Sequence, residues 1–125
     1  MIVSNVAKLI GDQPLAETQL DQTVAEACRV MCELDVRAVV VLEDRRLVGV
    51  VSERDVVRKC VCAGLVPADT PVASVMTRDP LTIEADGDLA RALEIMGQGG
   101  FHHIPVMRHG EPVGLISSDD IPEED

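Results

Sequence analysis

Two short stretches of this chain carry residues that can do chemistry. LVGVVSERD, residues 47–55, ends with Ser52 and Asp55, and PVGLISSDD, residues 112–120, places Ser117 and Asp120 at the same spacing. In each, an apolar strand-like run gives way to a helix-like start at the serine. A helix start exposes unpaired N–H groups and partial positive charge, which suits an anion. A carboxylate one turn in can accept hydrogen bonds from two adjacent hydroxyls. Ribose presents such a pair, and dinucleotide-binding folds use an acidic residue in this way. Asp55 and Asp120 are therefore candidates to hold ribose, with Ser52 and Ser117 beside a ribose or phosphate oxygen. The same S-x-x-D spacing is also a capping box, which stabilises a helix start with no ligand. Ser52 can serve both roles.

The two stretches belong to a longer repetition. Gly49 and Gly114, Ser52 and Ser117, and Asp55 and Asp120 each stand 65 positions apart. So do Val41 and Val106, Met31 and Met96, Ala27 and Ala92, Ala25 and Ala90, and Asp21 and Asp86. An ungapped match of this length is a duplication, with a period too long for the common solenoid repeats. A half of roughly 60 residues buries only about 60% of its unfolded surface, so the copies, 1–66 and 67–125, are expected to share an interface.

Composition excludes several functions. The chain has 125 residues and a net charge of -11, from 11 basic and 22 acidic residues. That field repels nucleic acid and anionic membranes as partners, but leaves room for a small anion at a local basic cluster. No window of about 18 apolar residues reads as a membrane span, and no signal peptide is visible. Cys28, Cys32, Cys60 and Cys62 accordingly read as reduced thiols in the cytoplasm. Their spacing is not C-x2-C, and a zinc site needs His102, His103 or His109 brought to them. Phe101 is the only aromatic residue, so base stacking is unavailable. There is no glycine-rich phosphate loop and no Ser-His-Asp or Cys-His arrangement with a supporting motif. The chain reads as non-enzymatic, with no cofactor required.

These residues need elements to position them. Residues 2–10 predict a short helix, 11–14 a loop and 15–18 a short strand. Thr23 with Glu26 predicts a capping box, followed by a helix that buries Val24, Ala27, Cys28, Met31 and Leu34. Residues 37–42 and 47–52 form a hairpin of continuous apolar runs, as in strands covered on both faces. A helix follows over 53–63, stopped by Gly64. In the second copy Thr70-Pro71 predicts a helix start for VASVM, a counterpart of VSNVA near the N-terminus. Pro80 to Ile83 predict a strand, Asp88 caps the helix LARALEIM, and HHIPVM with PVGLIS repeats the hairpin. The order is strand, helix, strand, strand, helix, written twice. The last helix is cut short: only five residues follow Asp120, and Pro122 removes a backbone donor.

At this point the residues resemble the cystathionine-β-synthase (CBS) domain family. The resemblance rests on GVVSERDV at 49–56 and GLISSDDI at 114–121, on the A-x-x-x-M helices ending at Met31 and Met96, and on HHIPV at 102–106. It implies an α+β fold: tandem CBS repeats, each β-α-β-β-α, packed with pseudo-two-fold symmetry as a Bateman module. It also implies a regulatory sensor that binds an adenosine-containing ligand (AMP, ADP, ATP, NAD(H) or S-adenosylmethionine) in the cleft between repeats and signals to an unidentified partner protein. Energy sensing and a homodimer belong to the same implication. By the same resemblance, Asp55 and Asp120 take ribose. His102 and His103 meet the nucleotide held by Asp55, and Arg37 meets the one held by Asp120. Pro80, Leu81 and Thr82, beside Val50 and Val51, are implied to line the adenine slot. Arg37 can fork onto phosphate oxygens. The histidines bind phosphate better when protonated, so that site weakens as pH rises through the histidine range. The short last helix ranks the Asp55 site above the Asp120 site. Two rival readings are a ligand-free CBS dimerisation module and a thiol or metal protein.

Overall fold

A computed structural model describes residues 5–121 of the protein. The chain packs as two compact units, one of Ala16–Pro80 and one joining the stretch up to Leu15 with that from Leu81 onward. These units are a different division from the sequence copies, because short segments cross between them. The helix α1 (Val6–Ile10) packs with the second copy: Val6 N–H donates to Gly87 O (3.1 Å) and Ala7 N–H to Ala85 O (3.1 Å). Conversely, the strip 67–80 stays with the first copy, through Val24 N–H to Thr70 O (2.8 Å) and Val72 N–H to Gln22 O (2.9 Å).

The unit of Ala16–Pro80 holds β1 (Glu17–Gln19), α2 (Val24–Leu34), β2 (Ala38–Glu43), β3 (Arg46–Ser52), α3 (Glu53–Val56) and β4 (Thr77–Arg78). Its sheet runs β1-β2-β3-β4, with β1 parallel to β2 and the other pairs antiparallel. Ala38 to Leu42 are all buried, as a run without alternation requires of a strand covered on both faces. The β2–β3 turn places Asp44 and Arg45 at φ of 50° and 68°. Consecutive left-handed residues match the twist of a two-residue hairpin. Thr23 Oγ1 caps α2 by accepting from Glu26 N–H (3.2 Å). Glu26 does not return the bond; its carboxylate pairs with Arg29 instead, so the expected box is half made. Val24, Ala27 and Met31 are buried on α2 as expected, while Leu34 is exposed.

The other unit holds α1, β5 (Ile83–Glu84), α4 (Leu89–Gly99), β6 (His103–Arg108) and β7 (Glu111–Ser117), with sheet order β5-β6-β7. Asp88 caps α4 by accepting from Arg91 N–H (2.7 Å), and Gly100 ends it at φ 70°. The duplication extends to irregularities. The hairpin register slips after Val41 in one unit and after Val106 in the other, so Val48 and Val113 are extra residues. Just before each slip stands a glycine, opposite Val41 or Val106.

Four expectations are corrected. The segment VASVM forms only a 3-10 turn, Val72–Ser74, closed by Val75 N–H donating to Val72 O (3.1 Å), and Thr77 already enters β4. Thr70 does not cap it; its hydroxyl donates to Val66 O (2.7 Å). The expected helix over 53–63 is α only to Val56 and then π-helical over Val57–Val61, with Cys62 N–H reaching back to Val57 O (2.8 Å). Pro80, Leu81 and Thr82 lie outside any strand, and β5 begins at Ile83. The last five residues apart from Ile121 lie outside the described residues, and Ser118–Asp120 form a 3-10 turn.

One buried polar atom stands out. Thr18 is 5% exposed, and its hydroxyl has no hydrogen-bond partner among the described residues. Thr18 pairs with Val41 as Ile83 pairs with Val106, so the second copy puts an apolar side chain at this position. Thr18→Val is expected to raise stability by about 1 kcal/mol, by removing an unsatisfied buried hydroxyl at constant shape. Urea unfolding checks this; a lower midpoint in the variant contradicts it.

Candidate functional site

Each S-x-x-D stretch lands where a strand ends and a helical turn begins. Ser52 closes β3, and its extended backbone, ψ 165°, turns the chain into α3. Asp55 reaches back: its Oδ2 accepts from Ser52 N–H (2.9 Å) and from Ser52 Oγ (3.0 Å). Ser52 Oγ in turn accepts from Asp55 N–H (3.2 Å). The capping box is thus present. The carboxylate keeps its second oxygen for other partners, and Lys59 takes it, with Nζ 3.3 Å from Oδ1. Lys59 Nζ also donates to Val75 O (3.3 Å).

The second junction is built alike but looser. Ser117 closes β7, and its N–H donates to Asp120 Oδ2 (3.0 Å). Ser117 Oγ accepts from Asp119 N–H (3.1 Å). Asp120 is exposed and forms no ion pair among the described residues. The position matching Lys59 is Glu124, outside the described residues.

The residue ahead of each hairpin meets the junction of its own unit. Arg37 O accepts from Glu53 N–H (2.9 Å), and His102 O accepts from Ser118 N–H (2.9 Å). The Arg37 side chain is exposed and makes no ion pair among the described residues. His102 Nδ1 lies 3.4 Å from Ser118 Oγ. His103 is half-buried and opposes Ser117 across the β6–β7 ladder. The expected assignment of Arg37 to the ligand of Asp120, and of His102 and His103 to that of Asp55, joins residues of different units and rests on the resemblance alone. Pro80 is half-buried at the end of one unit, while Leu81, exposed, and Thr82, half-buried, begin the next stretch of the other. Val50 and Val51 are buried, Val51 within the core around Val39 and Val41.

Lys59 is the residue that sequence reasoning passed over. The signal was present: Asp55 and Lys59 stand four apart on a predicted helix, where opposite charges meet.

The four cysteines are free. Cys60 is buried, with Sγ 3.7 Å from Leu65 O. Burial raises the Cys28 thiol above its ordinary 9.0, helped by Cys32, Cys60 and Glu53 nearby. The folded state therefore holds this proton longer than the unfolded chain does. Stability from this site is present below the ordinary thiol value and is lost as pH rises through the raised one. Cys28→Ala is expected to flatten the alkaline fall in melting temperature; a fall as steep as wild type contradicts this. Among the described residues, no group of three or more His, Cys, Asp or Glu is placed to hold a metal ion. No described helix is long and apolar enough to cross a membrane.

A family model, the CBS domain, matches the chain twice, at residues 12–61 and 72–124. The CBS domain-containing protein CBSCBSPB2 of Arabidopsis thaliana is 38% identical over 95 residues, 75% of this chain and 18% of that protein. The chain thus spans less than a fifth of that relative's length. Among solved structures, a putative signal-transduction protein with CBS domains from Burkholderia ambifaria superposes with a TM-score of 0.85 at 24% identity, over 94% of this chain and 90% of that one. The CBS domain protein PAE2072 from Pyrobaculum aerophilum, solved in complex with AMP, superposes with a TM-score of 0.83 at 24% identity, over 93% and 88%.

Proposed function

The chain belongs to the CBS domain family, and from that premise we propose that this pair of repeats binds an adenosine-containing ligand and reports its presence to a partner protein. The observation that carries the reading is the carboxylate at each strand end, anchored through one oxygen by its own serine. Such a group is oriented before any ligand arrives, so little ordering is lost when sugar hydroxyls bind it. The AMP complex of the Pyrobaculum protein supports the choice of ligand class.

In this reading Asp55 and Asp120 take ribose hydroxyls, with Ser52 and Ser117 beside them. Arg37, His102 and His103 supply positive charge to the anionic part of the ligand. Pro80, Leu81 and Thr82 sit against the base. The free thiols fit a reducing, cytoplasmic setting. Ligand binding acts by favouring the conformation that binds it better, which the partner then reads.

A thermal-shift panel of AMP, ADP, ATP, NAD(H) and S-adenosylmethionine tests the proposal, since a ligand that binds only the folded chain raises its melting temperature. At least one shift, reproduced by calorimetry, is expected. Silence across the panel overturns the reading.

A specific observation favours a second reading, a dimerisation module that works without ligand. Val57, Val61, Leu65 and Val66 are each about half exposed along one stretch of the first copy, 52%, 57%, 46% and 56%. An apolar run of this kind marks a contact surface, here assigned to a second copy of the chain. A concentration-dependent dimer by sedimentation, with no response to any nucleotide, would select this reading.

A further inference from the structure

Lys59 gives Asp55 an ion pair that Asp120 does not have among the described residues. A carboxylate offers about four lone-pair positions. At Asp55, Ser52 occupies two through Oδ2 and Lys59 occupies one through Oδ1. A ribose diol brings two donors, so one bond already present has to yield. The Ser52 bonds belong to the cap and sit beside a carboxylate whose side chain is 17% exposed. The Lys59 bond is longer, 3.3 Å, and the Lys59 side chain is 48% exposed. It is the bond that yields.

Lys59 does more than neutralise a charge. The same Nζ holds Val75 O at 3.3 Å. Val75 lies in a buried strip with Val72 and Met76, which runs directly into β4 and then to Pro80, the last residue of the unit. One ammonium therefore ties the candidate sugar-binding carboxylate to the segment by which the chain leaves the unit. At the matching position the second copy has Glu124, which cannot make this tie.

The geometry points to Lys59 as a displaceable positioning residue. In the structure it clamps Asp55 to Val75. A sugar diol arriving at Asp55 releases it, and the hold on residues 72–78 loosens. This rests on the proposal that Asp55 binds ribose, and it adds how occupancy of that site is transmitted.

The test uses the full chain and adenosine, an uncharged probe that Lys59 does not attract through phosphate. Wild type, Lys59→Met and Lys59→Arg are compared by calorimetry at low and high salt. Amide exchange at Val75 and Met76 is followed with and without adenosine. Lys59→Met is expected to bind adenosine about two- to fivefold tighter, the equilibrium value of a half-exposed ion pair. Wild-type affinity should rise with salt as the pair is screened, and the Met variant should lose that dependence. Exchange at Val75 and Met76 should quicken in wild type on adding adenosine and be fast already in the Met variant. Lys59→Arg should restore the wild-type pattern. Weaker or unchanged adenosine binding in Lys59→Met overturns the inference. If wild type binds no adenosine compound, the ligand reading fails by itself. The exchange comparison without ligand then decides the clamp: equal exchange in wild type and Lys59→Met rejects it, and faster exchange in the variant upholds the tie.

Discussion

Asp55→Asn is expected to weaken nucleotide binding at the first junction by tenfold or more while leaving the fold in place. The amide keeps an oxygen that can accept from Ser52 N–H, so the cap observed at 2.9 Å survives. It loses the charge and one acceptor. Hydrogen bonds to a charged group contribute about 1.5–3 kcal/mol each, so a diol held by an amide loses at least a factor of ten. The ion pair to Lys59 also goes, at less than about 1 kcal/mol for a pair this exposed. Calorimetry with the strongest ligand of the panel, beside a urea melt, separates the two effects. Retained affinity removes Asp55 from the site. A stability loss of several kcal/mol would mean that its role is mainly structural.

Gly49→Val is expected to cost about 3 kcal/mol, the largest stability effect of any single change proposed for this chain. A Cβ at residue 49 would meet Met76 Sδ at 2.6 Å and Thr77 O at 2.9 Å. The methionine can swing aside, but the Thr77 carbonyl belongs to β4, whose pairing with β3 includes Gly49 opposite Arg78. The glycine is there so that the returning segment can lie against β3. Gly114 does the same for α1, where an added Cβ would meet Ile10 Cγ2 at 2.8 Å. Gly97 has open space around it, so Gly97→Ala should not destabilise and serves as the control. Denaturant unfolding measures both. An unchanged midpoint for Gly49→Val would contradict this packing account.

These glycines mark how far the sequence could be read. Their 65-residue spacing revealed the duplication, and the apolar runs around them revealed the hairpins, because continuous valines have few other homes. The caps at Thr23, Asp88, Ser52 and Ser117 were legible for the same reason: short polar side chains at extended positions bond the next turn. What the glycines make room for was not legible. Nothing local in VASVM or in α1 says which copy each will pack against, and that crossing of segments is a long-range outcome. The π turns over Val57–Val61 also carry no residue signature. Thr18 alternates as a strand residue should, but its lack of a partner depends on neighbours the sequence does not place beside it. At the site, the serine and aspartate pairs were visible as a motif. Lys59 was visible only as a spacing, and its second bond to Val75 O spans 16 residues.

Calorimetric titration of the full chain with AMP and with its 2′,3′-dideoxy analogue tests sugar recognition most directly. If the carboxylates of Asp55 and Asp120 grip the sugar, AMP binds and removal of both hydroxyls lowers affinity at least tenfold. If the two compounds bind equally well, the sugar is not what these carboxylates hold, and the central claim fails.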